Sequence, residues 1–166
     1  MNKINGIDIK AYLPSFQWIA DIQYYEGSLL SEYKTDKGEI YAFLWCDSNE
    51  SCNRWLASKS TKRALYGLDA GIFSIRNFFE EQTLDDSVYV LDIGANSCIE
   101  NATLVKLTEV ASQYLPDAEV FIAAELRPKN EHYALLIDGN WSTSALAEIP
   151  KKFIELCNLV QKHTID

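Results

Sequence analysis

From Glu39 to Asp47 the chain reads Glu-Ile-Tyr-Ala-Phe-Leu-Trp-Cys-Asp, with aliphatic or small residues at the even positions inside the run and aromatic ones at the odd positions. Successive side chains of a strand point to opposite faces, so both faces here are apolar, which predicts a central strand with one face against a helix. Upstream, Ser28 to Thr35 is strand-like, and Asp36-Lys37-Gly38 offers a glycine for a positive-φ turn position. Downstream, after the polar loop Ser48-Asn49-Glu50-Ser51, the run Cys52 to Ser58 pairs back antiparallel. The pattern predicts an antiparallel β-meander over about 28–58.

Helical signals follow. Ser60 or Thr61 caps a short helix through Leu68, which Gly67 or Gly71 ends. Ser74 caps a second, with Phe73 and Phe78 at the spacing of a hydrophobic staple and Ile75, Phe78 and Phe79 on one stripe that packs on the meander. The acidic run Glu80 to Asp86 reads as an exposed connection into a fourth strand, Val88 to Asp92, which is left through the turn residues Gly94-Ala95-Asn96-Ser97. Residues 102–114 fit a helix through Leu104, Leu107, Val110 and Ala111, but also an alternating strand; the strand is preferred, then a short helical turn before Leu115-Pro116. Glu119 to Ala124 and His132 to Asp138 read as a second hairpin. Pro150, followed by Phe153, Ile154, Leu156, Cys157, Leu159 and Val160, predicts a C-terminal helix over about 150–163. Residues 1–22, interrupted by Pro14, fit either a short helix or an extended lead-in. The fold class expected is α+β: the meander with short helices, further antiparallel strands and a C-terminal helix. No repeat or linker divides residues 1–166, so one domain is expected.

Composition agrees with a packed interior: 48% of the 166 residues are hydrophobic, including nine Tyr, seven Phe and four Trp. Asp and Glu outnumber Lys and Arg 24 to 15, and a net charge of −9 disfavours nonspecific binding of nucleic acid. The basic groupings, Lys59 with Lys62 and Arg63 and Lys151 with Lys152, read as solvated helix starts. Cys46, Cys52, Cys98 and Cys157 form no C-x-x-C pair, and His132 and His163 are the only histidines, so neither a structural metal nor a cofactor is expected. Cys46 and Cys52 face each other across a hairpin, where a disulfide is sterically conceivable. The N-terminal residues show no apolar leader and the longest apolar runs are too short to span a bilayer, so the expectation is a cytoplasmic protein with reduced thiols and no membrane partner.

Four strings, Tyr25-Glu26-Gly27-Ser28-Leu29-Leu30-Ser31, Leu44-Trp45-Cys46-Asp47, Asn53-Arg54-Trp55-Leu56 and Tyr114-Leu115-Pro116, together resemble a group of uncharacterised small bacterial proteins that carry a domain of unknown function. The resemblance spans roughly residues 20–125. It implies the meander followed by helix and strand, and a bacterial or phage origin; it carries no catalytic assignment. Ser28 stands where that group often has proline.

The sequence holds none of the usual hydrolase, zincin or phosphate-loop strings. A small hydrolase would draw its base from His132, beside Asp138 or Glu125, or from a carboxylate pair among Glu26, Asp47, Glu50 and Asp92. A third reading is a small-molecule-sequestering protein with an aromatic-lined pocket. The most pointed constellation is Trp45, Asp47, Asn53, Arg54 and Trp55, with Tyr24 and Tyr25 nearby. Arg54 and Asp47 can form a guanidinium–carboxylate fork that locks the hairpin, and Trp, Tyr and Arg are favoured anchors of protein interfaces. The function expected is a non-catalytic, acidic protein-binding module of the immunity-protein, antitoxin or inhibitor type.

Overall fold

The computed structural model describes residues 3–24 and 27–122, and these build a seven-stranded, fully antiparallel sheet. Its strands are β1 (Ile7–Asp8), β2 (Phe16–Tyr24), β3 (Ser28–Thr35), β4 (Ile40–Ser48), β5 (Cys52–Ser60), β6 (Ser87–Gly94) and β7 (Ile99–Lys106), in the order β1-β7-β6-β5-β4-β3-β2. The meander over 28–58 is present as β3, β4 and β5, with Leu30 opposite Leu44 and Leu44 opposite Leu56. Gly38, at φ +81°, turns the first hairpin in a conformation that other residues rarely adopt. Every residue from Tyr41 to Cys46 is buried, as a central strand with two apolar faces requires.

Two helices cover one face. Helix α1 (Lys62–Asp69) is capped by Thr61, whose hydroxyl accepts from Ala64 N, and Gly71 at φ +79° follows its end. Gly67 does not end the helix; it lies inside it, where an added methyl would stand 2.6 Å from the Phe73 ring. Helix α2 (Ile75–Glu81) is capped by Ser74, which accepts from Asn77 N. Ile75, Phe78 and Phe79, all 0% exposed, pack with Leu30, Leu44, Leu56, Leu68, Val88 and Val105 in the main core.

The opposite face carries a second cluster of Tyr41, Phe43, Ala57, Leu91 and Ala102, with Ile9, Leu13 and Phe16 packed on it. The N-terminal segment therefore crosses this face, from β1 beside β7 to β2 beside β3. In a flat sheet the six strand spacings between those edges would total about 29 Å. The eight steps from Asp8 to Phe16 reach only about 26–29 Å when fully extended, and Lys10–Tyr12 is wound into a 3-10 turn. The link closes because the sheet is coiled: the Phe16 ring meets Tyr41 and Phe43 at 5.1 Å and Tyr89 of β6 at 6.4 Å.

Residues 1–22, open to either reading from sequence, thus supply two strands and a crossing. The strand preferred for the start of 102–114 is part of β7, and the short helical turn expected before Leu115-Pro116 is Ser112–Tyr114, preceded by a further turn at Leu107–Glu109. The strand expected from Glu119 differs: Glu119 lies in a turn and residues 120–122 join no sheet, because this stretch is held instead by Ile75 N donating to Val120 O (2.9 Å). The run 132–138 and the helix at about 150–163 lie outside the described residues. No helix among those described is long and apolar enough to cross a membrane.

Two outcomes follow from this packing. Ser74→Ala should cost about 1 kcal/mol in urea unfolding, the usual worth of an N-cap; an unchanged midpoint would deny the cap its role. Tyr33, stacked on Phe43 at 4.1 Å, has its phenol pushed up to about 12 by burial and then by the Asp21 carboxylate. Since the unfolded phenol ionises near pH 10, this group's contribution is fully present below that pH and is lost as pH rises toward 12. Urea midpoints should fall from pH 9 to 11, less steeply in Tyr33→Phe; identical slopes would count against it.

Candidate functional site

Strand alternation decides where the sequence-predicted patch ends up. Arg54 shares a face with Leu56, the side of the helices, whereas Asn53 and Trp55 point to the other. The six of the seven proposed residues that the structure describes therefore form no single surface. Trp45 is 1% exposed in the core, its indole N–H donating to Asp47 O (3.0 Å). Trp55 is half-buried and stacks on Trp45 at 5.8 Å, bridging the two clusters. Asn53 and Tyr24 are half-buried, at the hairpin end and at the end of β2, and Tyr25 lies outside the described residues. The indoles stack across the hairpin and Asp47 stands opposite Arg54 in register, but the fork expected between Arg54 and Asp47 is made with Asp92 instead.

Arg54 is the centre of a buried polar network. A bulge between Trp45 and Asp47 brings Asp47 opposite Arg54 on one side, and Asp92 stands opposite on the other. The bidentate fork goes to Asp92, with Nε donating to Oδ1 at 2.8 Å and Nη2 to Oδ2 at 3.0 Å. Nη1 donates to the Tyr114 hydroxyl (3.0 Å), which in turn donates to Asp47 Oδ2 at a long 3.4 Å. Burial alone would lower the Arg54 pKa, but the hydrogen bonds of Asp92 and Tyr114 outweigh it and hold the guanidinium charged. Burial pushes the Tyr114 phenol up by more than Arg54 pulls it down. Tyr114 entered the sequence reading chiefly through a resemblance string, and Asp92 as a strand end and one of several carboxylates; their convergence needed the pairing of a strand 38 residues from Arg54 and the placement of a 3-10 turn 60 residues from it.

The Arg54–Asp92 pair floors a cleft of about 640 Å³, walled by Lys3, Asp8, Glu100, Asn101 and Thr103. The lining is polar, unlike the aromatic pocket expected for a sequestering protein; aromatic lining occurs instead in a shallower depression of about 220 Å³ beside Tyr41 and Tyr89. Cys52, at the cleft, has its thiol raised by burial and then by the Asp92 and Glu100 carboxylates. Asp8 and Glu100 carried no sequence signal, because nothing local links residues 8, 92 and 100.

Other expected groups take structural positions. Lys59, which lies in β5 and not at a helix start, pairs with Glu39 at 2.5 Å and Lys62 with Glu32 at 2.6 Å, so two of the three cations in this grouping are ion-paired. Cys46 and Cys52 are free, buried thiols, Cys46 with its sulfur 3.5 Å from Arg54 O. Glu50 is exposed in the hairpin loop. His132, His163, Glu26, Glu125, Asp138, Cys157, Lys151 and Lys152 lie outside the described residues. Among the described residues no group of three or more His, Cys, Asp or Glu is arranged to hold a metal ion. No protein-family model, curated protein or solved structure matches this chain.

A buried pair is strongly interdependent. Arg54→Met alone should cost about 3–5 kcal/mol, because it leaves Asp92 charged and unpaired, whereas Arg54→Met with Asp92→Leu should recover most of the loss. Urea unfolding of the three proteins checks this; a single variant as stable as the parent would show the pair to be dispensable.

Proposed function

We propose that this chain is a non-catalytic, acidic protein-binding module of the kind that serves as an immunity protein, antitoxin or inhibitor, acting in the cytoplasm. The observation that carries the reading is the open cleft beside β7, whose rim presents the Asp8 and Glu100 carboxylates, the Asn101 amide and the Thr103 hydroxyl to solvent. The binding surface moves accordingly from the Trp and Arg constellation to this cleft, since Trp45 and Arg54 are spent on the interior. An excess of one charge at a rim steers and selects an oppositely charged partner more than it adds raw affinity, and the net charge of −9 acts in the same direction. A basic protein is the complementary partner.

Affinity capture from extracts of the source cells, followed by hydrogen exchange on the purified complex, tests the reading. One protein should co-purify in stoichiometric amount and slow exchange at Asp92 and across residues 99–103. Failure of the parent chain to retain any protein, or protection confined to other strands, would sink it.

A further inference from the structure

The cleft contains a carboxylate with no assigned role. Along β7, Asn101 faces Asp92 and Ile99 faces Ile93, so Glu100 is the additional residue of a bulge. Bulges bend a strand and re-aim a side chain. Here the re-aimed carboxylate rests against Gly94: a methyl group there would stand 2.6 Å from Glu100 Oε1 and 3.3 Å from its Cδ. No hydrogen bond or ion pair to that carboxylate forms among the described residues. Because Arg54 and Asp92 neutralise each other, the cleft's remaining charges among the described residues are Asp8 and Glu100 against Lys3, a net negative wall.

The edge of β7 is open beside this wall. β1 pairs with Leu104 and Thr103, and Ile9 N donates to Ala102 O (3.0 Å), after which the chain leaves across the other face. Residues 99–101 thus have a neighbouring strand on the β6 side alone among the described residues. A sheet edge offers main-chain hydrogen bonds to an extended peptide, and every second side chain of that peptide points to one face.

We propose that the cleft takes a lysine or arginine side chain from an extended segment of the partner protein, laid along the β7 edge at 99–101, with Glu100 as the principal acceptor and Asp8 on the rim. The inference rests on the protein-binding reading and names its contact chemistry. Gly94 acts here as a positioning residue, since it lets the Glu100 carboxylate lie against the strand.

Calorimetric titration of the full chain tests it, using a short Thr/Val peptide with one central lysine, the same peptide with glutamate instead, and spermidine. The lysine peptide should bind, more weakly as salt rises, and the glutamate peptide should not. Affinity for the lysine peptide should drop about tenfold in Glu100→Gln, which removes the charge, and similarly in Gly94→Ala, which keeps the charge but displaces it. Circular dichroism should show both variants folded. Equal affinity in folded Glu100→Gln, spermidine binding as tight as the peptide, or no binding of the lysine peptide would each overturn the proposal. Retention of the captured protein by Glu100→Gln would sink this inference while leaving the protein-binding reading in place.

Discussion

Burial of the central strands on both faces is the constraint from which the rest of this molecule follows. A guanidinium placed in such a strand must meet its counter-charge within the sheet, because water cannot supply it. Arg54 does so through Asp92 in the adjacent strand, with Tyr114 on its third nitrogen. The pair is weak evidence for net stability, since desolvating both ions offsets their attraction, but it penalises wrong pairing heavily. Slipping β6 by one residue would set Arg54 against Leu91 or Ile93 and turn every side chain of that strand to the other face. Arg54 therefore reads as a register lock in the middle of a sheet whose apolar faces alone would tolerate neighbouring alignments.

Double burial also explains the N-terminal crossing. A seven-stranded sheet with helices on one side leaves the aromatic rings of Tyr41, Phe43 and Tyr89 on the other. Covering them with a segment of eight steps requires the sheet to curl toward it, and strand twist supplies that curl. The three register irregularities between β2 and β3 follow this crossing, between Trp18 and Tyr24. They leave β2 irregular from Trp18 to Tyr24, which also makes this stretch a poor template for pairing with another chain.

The same physics marks what the sequence reveals. The meander, the Ser74 cap and the stripe of Ile75, Phe78 and Phe79 are legible because each is written within a few residues, as a period or a cap. β1 and β2 are not: one has two residues and pairs with β7 nearly a hundred positions later, and the other loses its alternation to bulges. The Trp and Arg constellation was gathered by closeness in sequence, yet the period of two that reveals β4 also separates Arg54 from Trp55. The preference for Asp92 over Asp47 depends on pairing across 38 residues, which no local pattern encodes.

The cleft itself has a trace in the chain once the strands are aligned. On the helix-bearing face, β6 runs Val88, Val90, Asp92, Gly94, and β5 runs from Ser58 and Leu56 to Arg54 and Cys52. Both strands change from apolar to polar at the same level of the sheet, where the cover given by α1 and α2 ends. Beyond that level a fully polar strand end would simply be solvated, and an apolar one would need another helix. The combination found here differs from both: a self-neutralised ion pair at the floor, a glycine that leaves room above it, and a carboxylate against that glycine with no ion pair among the described residues. Glu100 is exposed, so water solvates its carboxylate there, and the bulge that re-aims it sets where that charge stands at the mouth of the cleft.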